Sequence, residues 1–331
     1  MKIHVISTVN GLTNEGMRNV ATHMSREFEK QHIVRHSGLK DIAAVIRNSL
    51  RSDVTFIFAR ANAQVYYLAR MARALCERVW IVCVQKPDSA FLRRCSATPL
   101  KCGYLTLLES DLDGLSIRKD YGIRTFSVGI DTQKFAPVNK ARARELKLKY
   151  GFSPEKILVA HVGHCSSGRG LEDFALLNAP QIERFVVASG LFEHEGTVRL
   201  LKESGVRLAS GYVPNVEEVY QMADVTLFPT RSAEYVISIP LSVMEALACG
   251  TPVVAYRGFE NLRQIPVGNP AAIAFIDDKR ELMDAVLKAS QVKADHSYLA
   301  EAFSWSESAE AMLRCEEEGI YEARADRLYG P

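Results

Sequence analysis

The sequence alternates short apolar runs with longer amphipathic segments along almost its whole length, and this alternation restricts the fold more than any other feature. The apolar runs are rich in Val, Ile and Phe, which is typical of strands that are buried on both faces. The segments between them have helical spacing, so that strand–helix units follow one another. This order predicts an α/β fold with doubly wound parallel sheets.

Two series of such units are visible, separated by a turn-rich stretch at residues 129–140. The first series predicts strands at Lys2–Ser7, Val54–Ala59, Val79–Val84, Gly103–Leu108 and Thr125–Val128. Its predicted helices are Glu15–Lys30, Lys40–Leu50 and Ala61–Arg78, and residues 87–101 are expected to form a loop with one short helix.

A charged helix, Ala141–Tyr150, should end at Gly151 and lead into the second series. The predicted strands of this series are Lys156–Val162, Phe185–Ser189, Val206–Ala209, Val225–Phe228, Pro252–Ala255 and Ile273–Ile276. Its predicted helices are Leu171–Leu177, Gly196–Ser204, Val216–Met222, Pro240–Cys249 and Lys279–Ala289. The tail, Ser304–Tyr329, is expected to be helical, with Ser304 or Ser306 as its N-cap.

Charge is divided unevenly along the chain. Residues 1–150 contain 25 Lys and Arg against 13 Asp and Glu, a net charge of +12, whereas the remainder contains 16 against 26, a net charge of −10. Such a division indicates two domains that meet different partners. The basic half suits an anionic partner such as a membrane surface, a phosphorylated acceptor or nucleic acid, and ordinary surface variation is the alternative.

Composition excludes several classes of protein. No stretch approaches the roughly 18 apolar residues that a membrane-spanning helix needs, and the apolar run at the N-terminus is too short for a signal peptide. The seven cysteines lack C-x-x-C spacing, so we expect reduced, buried thiols and no structural metal. These observations favour a cytoplasmic protein.

The stretch Ala223–Tyr256, ADVTLFPTRSAEYVISIPLSVMEALACGTPVVAY, carries the clearest chemical signal. A strand leads into a loop, Pro240 opens a helix at a position that tolerates proline, and Gly250 ends that helix. The backbone N–H groups of residues 241–243 should then lie at the carboxyl ends of the strands, where open α/β sheets bind phosphorylated ligands. Glu245, about one turn further on, could accept hydrogen bonds from ribose hydroxyls, although an isolated helix glutamate is more often solvated.

This stretch resembles the signature of family 4 glycosyltransferases, whose usual form is close to ADVFVLPS…EGFGLPxLEAMACGxPVVA. Further segments agree with the family in order and spacing, namely VGIDTQKFAP at 128–137, ILVAHVGHCSSGRGLEDF at 157–174, FVVASG at 185–190, GYVPNVEEVYQMAD at 211–224 and FSWSESAEAML at 303–313. The resemblance covers about residues 124–315 and is weak before residue 120. It implies the GT-B fold, in which two Rossmann-like domains face each other across a cleft.

The resemblance also implies a division of labour between the domains. Residues 1–135 would form the acceptor-side domain, and residues 136–311 would form the domain that binds the nucleotide-sugar donor. A last helix at about residues 312–331 is expected to pack back on the first domain.

Donor-binding residues follow from the resemblance position by position. The family's ribose-binding glutamate corresponds to Glu245, and the cation that contacts the donor diphosphate corresponds to Arg169, which keeps the charge of the family's lysine and adds a bidentate fork. The family's other phosphate-binding arginine is replaced by His164, which follows Gly163. The remaining donor-side positions are Ser238, Leu241 and Ser242, together with Tyr212 and Val213, which lie where the family's loop borders the nucleotide base.

The donor loop departs from the family in two respects. A glutamate that usually contacts the transferred sugar, eight residues before the ribose glutamate, is Ile237 here. Glu234 lies three residues earlier, and a bulge in the loop could return its carboxylate to the sugar. Two glycines of the family's loop are also replaced, one by Ser238 and the other by Tyr235 or Val236, which predicts a tighter or rearranged donor pocket.

Acceptor-side candidates are fewer. Asn10, Gly11 and Gly16 could bring the backbone close to a ligand at the following helix N-terminus, although an ordinary strand–helix loop is equally compatible. His36 is a candidate by its position at a strand end. The acceptor implied by the resemblance is a sugar, a lipid phosphate or another hydroxyl compound, and the basic domain could contact the anionic inner face of a membrane.

The resemblance implies transfer of a sugar from a nucleotide sugar to an acceptor hydroxyl with retention of configuration. Arg169, His164 and the helix N-terminus would stabilise the departing diphosphate, so that neither a metal nor another cofactor is expected. Asp111 and Asp113 have the spacing of a metal-binding triplet but are interpreted as a solvated turn. The alternatives are a non-catalytic GT-B-like binding or partner protein and, less favoured, a sugar-nucleotide epimerase. Nucleic-acid binding is disfavoured because interleaved surface aromatics are lacking.

Overall fold

The computed structural model describes residues 1–8, 16–115, 122–191, 193–295, 299 and 302–314. These residues divide into two compact units. Unit 1 contains the described residues up to Gly129, apart from Gly16, together with those from Phe303 onward, and unit 2 contains the described residues from Ile130 to Ala302. The domain boundaries predicted at residues 135 and 311 stay predictions, and the predicted last helix lies outside the described residues beyond residue 314.

Unit 1 is built on a six-stranded sheet whose strands pair in parallel in the order β2-β1-β3-β4-β5-β6. The strands are β1 Lys2–Ser7, β2 Ile33–Gly38, β3 Val54–Phe58, β4 Val79–Cys83, β5 Gly103–Thr106 and β6 Ile123–Thr125. The helices are α1 Gly16–Glu29, α2 Ile42–Ser49, α3 Ala63–Leu75 and α4 Ser89–Ala97. The N-termini of the last three helices are fixed by side-chain caps, in which Asp41, Asn62 and Asp88 accept from backbone N–H groups of the first turn, as short polar residues do at this position.

Unit 2 also contains a six-stranded parallel sheet, in the order β12-β11-β10-β7-β8-β9. The strands are β7 Ile157–Gly163, β8 Ile182–Ala188, β9 Arg207–Ser210, β10 Val225–Phe228, β11 Val253–Tyr256 and β12 Ile273–Ile276. The helices are α5 Lys140–Lys149, α6 Glu195–Glu203, α7 Val216–Met222, α8 Leu241–Ala248 and α9 Leu282–Ala289. The chain proceeds outward from β7 in one direction through β8 and β9, and then in the other direction from β10 to β12. This reversal places the topological switch point of the sheet between β7 and β10, where open α/β sheets bind ligands.

The two-series α/β architecture predicted from the sequence is confirmed, and most strands lie within a residue or two of their predicted bounds. Three predictions need correction. Strand β2 was not predicted, β6 lies at Ile123–Thr125 and not at Thr125–Val128, and Leu171–Leu176 forms a 3-10 helix in place of an α-helix. Ser304 is confirmed as an N-cap, because its Oγ accepts from the Glu307 N–H at 3.3 Å.

The interpretation of Asp111 as part of a solvated turn is wrong. Asp111 is buried in a short 3-10 helix, Glu109–Leu112, that follows β5, whereas Asp113 is exposed. Among the described residues, no group of three or more His, Cys, Asp or Glu side chains is placed to hold a metal ion. The six cysteines within the described ranges are free and buried, as expected from their apolar surroundings. None of the described helices is long and apolar enough to cross a membrane.

Candidate functional site

The candidate site lies in unit 2 at the switch point of its sheet. The loop after β7 contains His164 and Arg169, and the loop after β10 leads to the N-terminus of α8. The two loops are joined by hydrogen bonds. Arg169 Nη1 donates to the Tyr235 carbonyl at 3.0 Å, and Thr230 Oγ1 donates to the Arg169 carbonyl at 3.3 Å. The structure therefore brings the predicted diphosphate-binding arginine against the loop that precedes the predicted phosphate-binding helix.

The Arg169 side chain is buried, with only 3% of its surface exposed. Its Cζ atom lies 5.8 Å from the centroid of the Phe228 ring, its Nε has no hydrogen-bond partner, and within the described ranges no carboxylate forms an ion pair with it. Burial lowers the pKa of the guanidinium to about 10, so the group is still charged at neutral pH. A buried charge without a counter-ion lowers the stability of the protein. An anionic ligand that paired with Arg169 would relieve this cost.

Two glycines allow the loop to hold the arginine in place. Gly168 has φ +85°, and a Cβ at this position would lie 2.5 Å from Tyr235 Cζ, so the tyrosine ring packs directly on the turn. Gly170 has φ +73°, and a Cβ there would lie 2.4 Å from the Pro229 carbonyl oxygen. Any side chain at these two positions would force the two loops apart.

His161, which the sequence reasoning missed, lies beneath Arg169. Its Nδ1 lies 2.9 Å from the Leu227 carbonyl oxygen, and its buried Nε2 has no hydrogen-bond partner. Burial, together with the neighbouring Arg169, lowers the pKa of His161 to about 3, so that the ring is neutral and Nε2 is an acceptor. A Cβ on Gly163 would lie 2.9 Å from both this Nε2 and Arg169 Nη2. Gly163 therefore leaves the space in which the arginine fork and the imidazole meet.

His164 faces the neighbouring strand β8. Its Nδ1 lies 2.6 Å from Ser189 Oγ, and the Ser189 N–H donates to the Gly163 carbonyl at 3.0 Å. The loops after β8 and β9 approach each other closely, as a Cβ on Gly190 would lie only 3.1 Å from Gly211 Cα.

The loop that follows β9 contains Tyr212 and Val213. The Tyr212 side chain is half exposed and that of Val213 is partly buried. An exposed aromatic ring at the carboxyl edge of the sheet suits contact with a nucleotide base, and this role stays a prediction for both residues.

The N-terminus of α8 is less open than predicted. Both the Val243 and the Met244 N–H groups donate to the Pro240 carbonyl, at 3.1 and 3.3 Å. The prediction that the N–H of residue 243 is free is therefore wrong, and Leu241 and Ser242 contribute the first-turn N–H groups that can meet a ligand. Ser238, two residues before Pro240, is fully buried, and its Oγ has no hydrogen-bond partner.

Glu245 lies in the second turn of α8 and faces α7. Its Oε2 accepts from the Tyr220 hydroxyl at 2.8 Å. Burial raises the pKa of Glu245 to about 7, and the bond from Tyr220 and the charge of Lys134 act in the opposite direction. The carboxylate is thus partly desolvated, and Tyr220 fixes one oxygen while the other can accept a ligand hydroxyl.

The loop in place of the family's sugar-binding segment contains buried aliphatic side chains. Ile237 is 6% exposed, so the position of the usual glutamate is filled by a buried aliphatic side chain. Glu234 is exposed in the 3-10 turn Ala233–Tyr235, where its N–H donates to Ser232 Oγ at 3.2 Å. Its proposed contact with the transferred sugar stays a prediction.

An ionic cluster of the half-exposed Arg231 with the buried Asp173 and Tyr256 lies beside the site. Asp173 Oδ2 accepts from Arg231 Nη2 and from the Tyr256 hydroxyl, both at 2.6 Å. The Arg231 guanidinium also lies over the Tyr256 ring, with 3.8 Å between Cζ and the ring centroid. The cluster joins the loop after β7 to the ends of β10 and β11, and its members gave no recognisable signal in the sequence.

The acceptor-side candidates have less structural support. Gly16 begins α1, and Asn10 and Gly11 lie outside the described residues. His36 lies in the edge strand β2, and its Nε2 is 3.0 Å from Glu29 Oε1, so that it forms a surface contact within unit 1. Their roles in acceptor binding stay predictions.

Comparison with known proteins identifies the fold and the domain. The solved structure of Anabaena Alr3699/HepE in complex with UDP and glucose superposes with a TM-score of 0.78, at 12% identity, over 96% of this chain and 100% of that one. Residues 170–291 match the family profile described as Glycosyl transferases group 1. The fold is therefore GT-B, and residues 170–291 of unit 2 are similar to the group 1 profile.

The curated relatives of the chain are also named as glycosyltransferases. D-inositol 3-phosphate glycosyltransferase 2 of Catenulispora acidiphila is 27% identical over 232 residues, which cover 62% of this chain and 52% of that protein. D-inositol 3-phosphate glycosyltransferase of Mycobacterium leprae is 35% identical over 140 residues, 38% of this chain and 31% of that protein. The chain thus spans about half the length, or less, of the curated relatives it matches. The resemblance to GT-B glycosyltransferases of the group 1 type, first recognised from the sequence, is confirmed.

Proposed function

We propose that this chain is a glycosyltransferase that binds a nucleotide-sugar donor at the switch point of unit 2 and transfers the sugar to an acceptor hydroxyl. The observation that carries the proposal is the buried Arg169 guanidinium, which is charged and has no counter-ion within the described ranges. The diphosphate of a nucleotide sugar would supply that counter-ion. Arginine is suited to this contact, because its planar fork can bind two phosphate oxygens at once.

The surrounding groups support the same ligand. The first-turn N–H groups of α8, at Leu241 and Ser242, carry the positive end of the helix dipole. Glu245 holds one oxygen available for a ribose hydroxyl while the other is fixed by Tyr220. The diphosphate would thus meet a cation and a helix N-terminus, and the ribose next to it would meet a carboxylate on an adjacent part of the chain.

The proposed reaction breaks the bond between the anomeric carbon and the diphosphate oxygen, and forms a bond from that carbon to the acceptor oxygen. The acceptor proton passes to the departing diphosphate. As negative charge develops on this leaving group, Arg169 and the α8 N-terminus stabilise it electrostatically. We propose that the reaction needs no metal and retains the configuration of the sugar, as the family resemblance implies.

The proposed acceptor is an anionic hydroxyl compound, with unit 1 in peripheral contact with an anionic membrane. The first 129 residues contain 19 Lys and Arg against 11 Asp and Glu, which favours a negatively charged partner. The curated relatives named above are called D-inositol 3-phosphate glycosyltransferases, so a phosphorylated polyol is the first class of acceptor to test.

The test is calorimetric titration with a panel of UDP-, GDP- and ADP-sugars, starting with UDP-glucose because Alr3699/HepE has been solved with UDP and glucose. We expect saturable binding of at least one donor, slow hydrolysis of that donor, and faster turnover when a phosphorylated polyol is added. Binding without any hydrolysis or transfer would favour the non-catalytic alternative. A chain that binds no nucleotide sugar and no free nucleoside diphosphate would refute the proposal.

A further inference from the structure

Helices α2, α3 and α4 form one face of unit 1. Each connects consecutive strands that advance in the same direction across the sheet, from β2 to β3, β4 and β5, and right-handed crossovers then place all three on the same side. Contacts between α2 and α3 and between α3 and α4 agree with this placement. We call this surface the α2–α4 face.

The α2–α4 face is basic. The three helices contain five arginines and, within their bounds, no aspartate or glutamate. The arginines are Arg47, Arg70, Arg73, Arg93 and Arg94. Two further exposed cations, Arg51 and Lys101, lie just beyond the ends of α2 and α4. Of the acidic residues nearest in sequence, Asp41 and Asp88 cap α2 and α4, and the exposed Asp53 and Glu77 follow α2 and α3.

An apolar row runs along α2 beside these charges. Ile42, Ile46 and Leu50 follow one another at a spacing of four residues, and are 47%, 39% and 61% exposed. Residues with this spacing lie on one side of a helix, and the opposite side of α2 is buried through Ala44, Val45 and Ser49. The exposed side of α2 therefore carries an apolar row, in addition to the apolar residues on its buried side.

A tyrosine extends the same surface on the next helix. Tyr67 of α3 is 59% exposed, and the Arg94 guanidinium carbon lies 5.6 Å from its ring centroid. Tyrosine next to arginine is common where a protein meets the boundary between water and lipid, since both side chains have an apolar body and a polar tip.

We propose that the α2–α4 face docks on a bilayer that contains anionic lipids, with Ile42, Ile46 and Leu50 inserted between head groups and the arginines paired with lipid phosphates. An exposed apolar row favours a lipid surface over nucleic acid, which would be served by the cations alone. This inference deepens the membrane contact proposed above by naming its surface, and it is independent of donor binding by unit 2.

The first experiment is cosedimentation of the whole chain with vesicles of phosphatidylcholine, with or without phosphatidylglycerol, at low and high salt. We expect binding only to the anionic vesicles, and weaker binding at high salt because the electrostatic part is screened over about 8–10 Å. The triple variant Ile42→Gln, Ile46→Gln, Leu50→Gln should bind these vesicles at least about tenfold more weakly, since it loses its apolar insertion.

Matched controls are available in unit 2. Leu148 of α5 is 63% exposed, and Leu148→Gln should leave vesicle binding unchanged. Arg93→Gln should weaken binding about fivefold, as expected for one basic residue at a lipid surface, whereas Arg199→Gln on α6 should not. Circular dichroism and the nucleotide-sugar affinity of each variant verify that the fold and unit 2 are intact.

The following outcomes would overturn the inference. The inference fails if the wild-type protein does not bind anionic vesicles at low salt. It also fails if the triple variant binds them as tightly as the wild type does. Tight binding to heparin or RNA that the triple variant retains, together with unchanged vesicle binding, would identify a polyanion site instead. Failure of the chain to bind nucleotide sugars would refute the proposed function and leave the vesicle result standing, so the two are distinguishable.

Discussion

Replacement of Arg169 by methionine should separate the stability of the protein from its affinity for ligand. Burial lowers the pKa of Arg169 from 12.5 to about 10, which corresponds to ~3 kcal/mol of unfavourable desolvation of the charged form. Because the folded pKa is the lower one, this cost is fully present at neutral pH and fades only as pH rises from about 10 toward 12.5. Methionine keeps the apolar contact with Phe228 and removes the charge.

The variant also loses the hydrogen bond from Nη1 to the Tyr235 carbonyl, which contributes about 1 kcal/mol. The net expectation is that Arg169→Met stabilises the ligand-free protein by ~1–2 kcal/mol. For a unit of this size, that corresponds to a rise of about 2–8 °C in the melting temperature. Affinity for the nucleotide sugar should fall by about 10- to 150-fold, because charge-assisted bonds worth about 1.5–3 kcal/mol are lost.

Differential scanning calorimetry without ligand, and isothermal titration with the donor, measure the two effects. Arg231→Met is the contrasting variant, since the half-exposed Arg231 has a counter-ion in the buried Asp173 at 2.6 Å. Its removal leaves that carboxylate short of a partner and should lower the free energy of unfolding by about 1–3 kcal/mol. If Arg169→Met instead lowered the melting temperature and left donor affinity unchanged, the guanidinium would be a structural group and the argument from its missing counter-ion would fail.

Three further predictions concern the same site. Glu245→Ala should weaken donor binding by roughly 1.5–3 kcal/mol in calorimetry, and unchanged affinity would remove Glu245 from the site. The wild type should lose stability as pH rises from about 4.5 to about 7, because the pKa of Glu245 is higher in the folded protein than in the unfolded chain. Glu245→Gln should remove this loss. Gly163→Ala should displace Arg169 and weaken donor binding, because its Cβ would lie 2.9 Å from the guanidinium and from the His161 ring. Gly38→Ala, whose Cβ meets no atom within 4 Å, is the control: it should leave donor binding unchanged and raise the free energy of unfolding by no more than about 1 kcal/mol. Transfer activity should survive EDTA, and activity lost to EDTA and restored only by magnesium or manganese would contradict the metal-independent mechanism.

Sequence patterns predicted strands well where both faces are buried and poorly where they are not. The central strands β1, β3 and β10 were located within a residue, because each is a run of buried apolar residues. Strand β2, IVRHSG, lies at the sheet edge, and only Ser37 is fully buried. Its conformation depends on pairing with β1, which is a tertiary interaction that leaves no hydrophobic pattern in the sequence.

Counting charges along the sequence also predicted the surface charge of unit 1 only in part. The basic excess counted over residues 1–150 includes α5, which belongs to unit 2 and not to unit 1. There, Lys147 contacts Asp224 and Lys149 contacts Glu218, both at 2.6 Å. These cations neutralise acids that are distant in sequence, so the charge division overstated the positive charge that unit 1 can offer to a partner. The arginines of α2, α3 and α4 lie in unit 1 itself, so they are not affected by this correction.

At the candidate site, the proposed diphosphate-binding residues could be transferred from the family, whereas its sugar-contacting glutamate has no counterpart at the same position. Arg169 is placed by its own neighbours, since the glycines on either side adopt positive φ and admit Tyr235 and Pro229. The two glycines belong to the local sequence and therefore leave a recognisable pattern, whereas the contacts with Tyr235 and Pro229 are tertiary.

The sugar-binding position depends instead on what packs around it. Ile237 is buried beside Ser238, whose hydroxyl is fully enclosed and unpartnered. A glutamate at this buried place would be desolvated, which is costly for a carboxylate unless a cation pairs with it. In this loop a buried aliphatic side chain thus occupies the place of the family's sugar-contacting glutamate, while Arg169 and the α8 N-terminus, the proposed diphosphate-binding groups, are present. Selection of the donor would then depend on the nucleotide and its phosphates more than on a carboxylate contact with the sugar.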